Sequence, residues 1–503
     1  MVLMVPNLIL GLLLGTLSTL AVADIGPYIN DAAFQNKQYG LFPTQNFTSN
    51  PNVLDIPIFN IRHGSAEQGS ANGYIFLAPW GGIVYHPGPM IFDSKTLALV
   101  WSGEGFGTTL NFRVQKYKGT DYLTFWSGSF GSGGYGEGHY YMLDSSYEIA
   151  YNLSAVGDTG GDFHEFFISN DDTALVTLYH LEQADLSEFG VENGWVLEGR
   201  FQEIDIETNE LLFEWRSTEH VSINETYQVP KALTGNDSSL PFDYFHINAI
   251  DKDEMGNYII SSRNTGTLYY IDGDSGEVIW RMGGRLNEFE DLSNGNATNF
   301  IFQHNVEWYP GDHSRLTLFD NHDDEEIPGE FNSRGIILKY DDDAMTAELE
   351  QEFVSPNNIS AASQGDVQIL GNSNAFIGWG QQPVFSEFTA DGELLWDVQF
   401  GILDNSTVQT YRAFKMDWVG RPNTKPDIAV GTGEDSGKLF MSWNGATELK
   451  SWALLASNGT AQMHDETFFW QTVTATGFET TVTVGDQARY VIAVPLDGNG
   501  NVL

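Results

Sequence analysis

An all-β fold, a six-bladed β-propeller with an accessory β-sandwich, is predicted by three features of this 503-residue sequence. One hairpin pattern recurs six times along the chain. Long runs of apolar residues at helical spacing are nearly absent. Glycine-rich tracts such as Ser127 to Gly138 supply the tight connections that short strands need.

The first segment is a targeting signal. Leu8 to Val22 is an apolar run broken only by Gly, Ser and Thr, and it ends in Ala21-Val22-Ala23 before Asp24. The run is shorter than the ~20 residues a membrane span needs, and small-x-small marks a cleavage site. Residues 1–23 are therefore expected to be a signal peptide. The mature protein is expected to be secreted or in the secretory lumen, free of the membrane. Sequons beginning at Asn46, Asn152, Asn224, Asn236, Asn296, Asn358, Asn405 and Asn458 fit a glycoprotein on that route.

The repeat occupies the next 400 residues. Each unit is an alternating strand, a turn bearing Asp, Asn or Gly, and a second strand that often ends in Trp. It starts at Ile91 (IFDSKTLALVW), Met142 (MLDSSYEIAYNL), Ile204 (IDIETNELLFEW), Ile271 (IDGDSGEVIW), Lys339 (KYDDDAMTAELEQEF) and Phe388 (FTADGELLW). The spacing of about 50–70 residues is a blade period. Repeated sheets protect their edges by arranging radially, which places the propeller at residues 24–430. From 431 to 503 the β patterns continue without the blade signature: SWNGATELKSW from Ser442, TGFETTVTV from Thr476, YVIAVPLDGNG from Tyr490. This is the expected sandwich, with N-terminal strands as candidates to complete it.

Composition removes whole classes of function. Lys+Arg total 23 against 68 Asp+Glu, a formal charge of −45, so nucleic acid is excluded as a main partner. The absence of cysteine excludes disulfides, zinc–thiolate sites and cysteine nucleophiles. With 41% hydrophobic residues the chain is no disordered acidic tail.

Among 11 histidines, three share a context. His164 (GDFHEFFIS), His246 (DYFHINAI) and His304 (FIFQHNVEWY) stand at matching places in successive repeats, at inner-strand starts that line a propeller's channel. Asn248 follows His246 by two residues, and Arg263 lies on the next strand of that repeat. Such a cluster suits transfer of an anionic group: one neutral imidazole attacks while Arg and the other histidines stabilise charge.

These residues resemble the arylsulfotransferases of the β-propeller type, from about Pro57 to the end. The SWNGATE and TGFET segments are similar to the secreted fungal branch. The resemblance implies that His304, in its Gln303-His304 pair, carries a sulfuryl group covalently. It implies that His246, Asn248, Arg263 and His164 surround the group, the family's His-x-Asn pair matching His246 and Asn248 and its Ser-Arg matching Ser262-Arg263. The family's later Thr has only Ser363 and Gln364 as candidates. FDNHDDEE (Phe319 to Glu326) departs from the family's strand end by adding acid.

The expected function is thus nucleotide-independent sulfuryl transfer on a phenolic or polyketide-derived small molecule, without cofactor. The alternatives are cofactor-free hetero-Diels–Alder cyclisation in fungal secondary metabolism, which the resemblance also implies, and a non-catalytic ligand-binding propeller. The acidic stretch 320–326 is weighed as a calcium site and read as a solvated loop, since EF-hand spacing is missing. An acid pair such as Asp158 and Asp162 for glycoside hydrolysis finds no recurrence at equivalent strand starts.

Overall fold

The computed structural model describes residues 3–4 and 24–503, apart from residues 66, 70–72, 132–133, 158, 232, 324–331, 404–406, 458–467 and 485–489. All but two residues of the expected signal peptide lie outside the described residues, as do the sequons at Asn405 and Asn458. Two four-residue segments, Ala32–Gln35 and Ser217–His220, are the only α-helices among the described residues. No helix of the described residues is long and apolar enough to cross a membrane.

The molecule is a β-propeller whose sheets follow one another along the chain, each with a four-stranded antiparallel core; the fifth adds Glu290–Asp291 parallel to its outer strand, and the sixth adds Asn60–Gly64 antiparallel to its outer strand with Tyr28–Ile29 parallel beyond it. The second sheet runs from Thr109–Tyr117 to Ile149–Leu153, and the third from Phe166–Ile168 to Leu211–Arg216. The fourth spans Ile247–Lys252 to Val278–Gly283, and the fifth His304–Tyr309 to Thr346–Val354. The sixth spans Asp366–Ile369 to Leu394–Gln399. The first joins distant parts of the chain: Phe414–Met416 pairs with Tyr74–Leu77, which continues through Met90–Asp93 to Leu99–Ser102.

Hydrophobic clusters sit between consecutive sheets. Phe76 and Trp101 of the first sheet meet Phe112 and Phe125 of the second. Trp126 and Met142 of the second meet Ile204 of the third. Trp215 packs with Tyr258, Trp280 with Leu338, and Phe353 with Phe388. Phe376 and Trp396 of the sixth sheet pack back against Ile75 and Phe92 of the first. Strands near the axis and middle of a sheet, such as Tyr258–Ser262, are thus buried on both faces and read as near-continuous apolar runs, whereas an outer strand such as Thr346–Val354 alternates buried and exposed residues.

All six recurring segments form the hairpin between third and fourth strands. The turn aspartate explains their shared sequence. Asp93 Oδ1 accepts the N–H groups of Lys95 and Thr96 at 3.0 and 2.8 Å, and Asp205 does the same for Glu207 and Thr208. Asp272 accepts from Asp274 and Ser275. These Asx turns leave no donor unmet at the bend. Each hairpin then carries a register shift at its third strand, at Ile91/Phe92, Met142/Leu143, Glu203/Ile204, Tyr270/Ile271, Ile337/Leu338 and Glu387/Phe388.

The accessory unit begins at Asp427–Val430, which pairs with Lys438–Ser442, itself paired with Thr480–Thr483. A second sheet sets Ser451–Ser457 between Phe468–Thr474 and Tyr490–Leu496. Leu439, Trp452, Leu454 and Val491 form the core between them. The N-terminal segment ties this unit down. Asp24 accepts the N–H groups of Phe478 and Glu479, and Phe47 packs on Phe478 with ring centroids 4.5 Å apart.

Candidate active site

The inner strands start at one end of the propeller, and their first residues line a cavity of about 720 Å³. His164, His246, Arg263 and His304 all face it. The structure therefore brings together four of the five residues singled out in the sequence. Asn248 lies beneath. Its Nδ2 donates to the Gln303 carbonyl at 2.6 Å, so it supports the segment that presents His304.

His304 opens the inner strand His304–Tyr309. Its flanking residues Phe302 and Asn305 both take left-handed backbone, with φ of 58° and 54°. His246 and Gln364 share that conformation, which side chains other than glycine adopt at a cost and which clusters at functional sites. The His304 tautomer follows from Asn321. Asn321 Nδ2 donates to the carbonyls of Ala361 and Gln364, so its Oδ1 must accept, and it does so from His304 Nδ1–H at 2.7 Å. Nε2 is therefore the basic nitrogen. It accepts the Gln364 N–H at 3.1 Å. Gly365, at φ +105°, keeps this loop close: an added Cβ would lie 2.5 Å from the Phe319 ring. Burial, and then the Arg263 charge, hold the His304 imidazole well below its ordinary pKa.

The other two histidines are each paired with a carboxylate through Nδ1. His164 meets Asp162 and His246 meets Asp243, both at 2.5 Å. Their rings stand edge to face with centroids 4.7 Å apart. Burial lowers the His164 pKa even beside Asp162. Burial would raise the Asp162 carboxyl, but the His164 ring and three further donors, Gly136 N–H, His164 N–H and the Thr177 hydroxyl, bring it below its ordinary value. Arg263 donates to Asn264 Oδ1 and the Ala362 carbonyl, with its guanidinium over the Phe302 ring at 5.0 Å.

One wall is aromatic. Trp80 and Phe130 have centroids 4.7 Å apart, Phe130 and Phe163 5.3 Å, and Phe163 stacks on His164. Among the described lining residues Asp243 is the one carboxylate, against Lys231 and Arg263.

Below the cavity the inner strands meet in a buried ionic stack. Arg412 holds both Glu165 oxygens at 2.9 Å and also donates to the carbonyls of His164 and Asn248. Arg113 bridges Glu165 and Glu307. Burial opposes ionisation of Glu165, yet the two guanidiniums bring its carboxyl below the ordinary range. The stack anchors two site strands through their backbone.

Sequence reasoning missed Asn321, Asp243, Glu165, Arg113 and Arg412, and it weighed Asp162 as half of an acid pair, not as the partner of His164. Asp162 and Asp243 stand two and three residues before their histidines, a spacing visible in the chain. Asn321, 17 residues from His304, left no such signal. Ser363 and Gln364, the weak candidates for a missing Thr, do line the cavity, and Gln364 acts through its backbone N–H. In the acidic stretch, Asp320 is buried against Arg334 at 3.0 Å and accepts the Ile301 N–H. Residues 324–326 lie outside the described residues, as does Asp158.

The family model described as Arylsulfotransferase (ASST) matches residues 113–401. No curated protein matches the chain. Among solved structures, a protein of unknown function from Bacteroides caccae aligns at 12% identity and a TM-score of 0.40, covering 69% of this chain and 99% of that one. A protein from Lactobacillus plantarum aligns at 12% identity and 0.34, covering 81% and 99%. BamB from Moraxella catarrhalis aligns at 10% and 0.26, covering 84% and 91%.

Proposed function

The chain belongs to the arylsulfotransferase (ASST) family, and on that premise we propose that it transfers sulfuryl groups between phenols through a sulfuryl-histidine at His304. The observation that carries this reading is a buried, neutral His304 with its tautomer set by Asn321, in a pocket where Arg263 and two further imidazoles converge. Neutral Nε2 attacks the sulfur of an aryl sulfate, the S–O(aryl) bond breaks, and the phenolate leaves. The product is a zwitterion at His304, so Nδ1 need lose no proton. The Gln364 N–H must release Nε2 for attack, and it is then placed to donate to a sulfuryl oxygen. Arg263 offsets the negative charge on those oxygens, and the Trp80–Phe130–Phe163 wall takes the aryl ring.

The six sheets are read as six blades of one closed ring, and the leader as a route to secretion. Both belong to the proposal. The test is intact mass after incubation with 4-nitrophenyl sulfate. A gain of about 80 Da that disappears in His304→Ala, with the melting transition retained, is expected for covalent catalysis. Transfer that survives His304→Ala sinks the reading and favours a pocket that only binds or orients its ligands.

A further inference from the structure

The connection from Arg216 to Ile247 does more than join two sheets. The third sheet's middle strands, Thr173–Leu186 and Val191–Asp205, are far longer than the inner strand Phe166–Ile168 beside them. The inner strand pairs with Ala174–Val176 alone, and past it the two middle strands stay paired as far as Leu186 and Val191. Val176 faces Phe166, the first residue of the inner strand, so this ribbon leaves the sheet at the cavity end.

A strap lies on the ribbon. Trp195 N–H donates to the Gly235 carbonyl at 2.8 Å, Phe242 N–H to the Trp195 carbonyl at 2.9 Å, and Leu197 N–H to the Phe242 carbonyl at 3.0 Å. Gly235 has φ +80°, and a Cβ there would meet Leu186 Cδ1 at 2.7 Å, so this close seat needs glycine. The other arm of the strap is tied to the turn after Arg263. Tyr227 N–H donates to the Asn264 carbonyl at 2.8 Å, and the Arg285 guanidinium lies over the Tyr227 ring at 4.6 Å.

Exposure then orders the lining of the cavity. His304, His164 and Tyr411 are at most 2% exposed and form its floor. Leu240 at 47% and Val229 at 74%, both on the strap, form its mouth, with Pro230 and Pro241 beside them. Phe130, 40% exposed, adds aromatic surface. Gln228, Lys231 and Thr234 border these residues with polar groups. Apolar side chains gathered among polar ones at a cavity mouth mark a ligand groove. Two anchored arms hold them exposed to water, and the apolar surface of a ligand relieves that exposure. The cavity of about 720 Å³ falls within the ~300–1,000 Å³ of pockets for drug-sized ligands, far more than one phenol ring fills.

We propose that the strap is a specificity element, and that Val229 and Leu240 take the apolar arm of a phenol substituted opposite its hydroxyl. The hydroxyl end reaches the floor, and the arm runs out along the mouth. The substrate class is thus an elongated apolar phenol, not a single ring. The phenol end rests on the sulfuryl-transfer reading above, and the apolar arm rests on the mouth.

The test is isothermal titration of the full-length protein with 4-ethyl-, 4-butyl- and 4-hexylphenol. Kd of the parent protein is expected to fall about two- to fourfold per added methylene. The double variant Val229→Ser, Leu240→Ser is expected to bind 4-hexylphenol on the order of 10-fold more weakly than the parent, with the loss shrinking for 4-ethylphenol. A Kd independent of chain length, no loss in the variant, or the same loss at every length overturns the proposal. Val229→Ser alone, measured the same way, decides the matter if the double variant does not fold. Binding needs no turnover. Chain-length dependence in a protein that forms no sulfuryl-His304 would therefore sink the sulfuryl-transfer reading and leave the role of the strap standing.

Discussion

Burial decides the chemistry of single residues here. His304 and His246 are both imidazoles at inner-strand starts, but one is sealed under the 363–365 loop and the other stands at the cavity surface. Burial and then Arg263 oppose protonation of the sealed ring and hold its pKa well below the ordinary value. An exposed histidine would lose its free imidazole lone pair as pH fell through about 6.5. His304 has its pKa well below that, so adduct formation from 4-nitrophenyl sulfate is expected to stay constant from pH 8 to below 6. Stopped-flow measurement of nitrophenol release checks this, and a midpoint near 6.5 would contradict it. The pairing atoms were partly legible. Asp162 and Asp243 precede their histidines closely in the chain, whereas Asn321 reaches His304 only because adjacent strands of the fifth sheet set their residues side by side.

At the scale of the element, the outer hairpin is the most informative unit. Its Asp turn and its Trp were legible because both act locally or at a fixed repeat position. Trp215 shows what the repeat is for. It is 1% exposed, it stacks on Phe201, and its Nε1 donates to the Gly276 carbonyl in the turn of the next sheet at 3.0 Å. Both its area and its hydrogen bond therefore serve an interface between sheets. Trp215→Ala is expected to cost about 3–5 kcal/mol, and Trp215→Phe distinctly less. The denaturant midpoints of the two variants check the order. The inner strands are less legible, since strands buried on both faces lose the alternation that would mark them.

At the scale of the whole molecule, charge is partitioned. The described lining of the cavity holds two cationic side chains and one carboxylate, and the axis holds carboxylates that the fold discharges by pairing or by protonation. Glu165 is paired with Arg412 and Arg113. Asp366 is not: burial pushes its carboxyl up to about 8, and one of its oxygens has no hydrogen bond. A carboxyl raised in the folded state binds its proton more tightly there than in the unfolded chain. Its contribution to stability is full below the unfolded pKa of about 4 and falls as pH rises through 8. Asp366→Asn removes that dependence and keeps an acceptor for the Ala413 N–H. The melting temperature of the variant is expected to gain on the parent from pH 5 to about 8 and to level off above that. A constant difference would show that Asp366 does not titrate in this range.

The sequence by itself determined the β class, the six hairpins, the histidine–arginine cluster and the family resemblance, because each is a local or periodic property of the chain. Hairpin turns depend on residues three or four apart, and repeats display their period directly. Only the tertiary structure decided that Asn248 supports the His304 segment from below, that Asn321 sets the His304 tautomer and that Glu165, Arg113 and Arg412 pair beneath the cavity. These contacts join residues 17 to more than 240 positions apart. Their partners are chosen by the radial packing of sheets, which no spacing along the chain records.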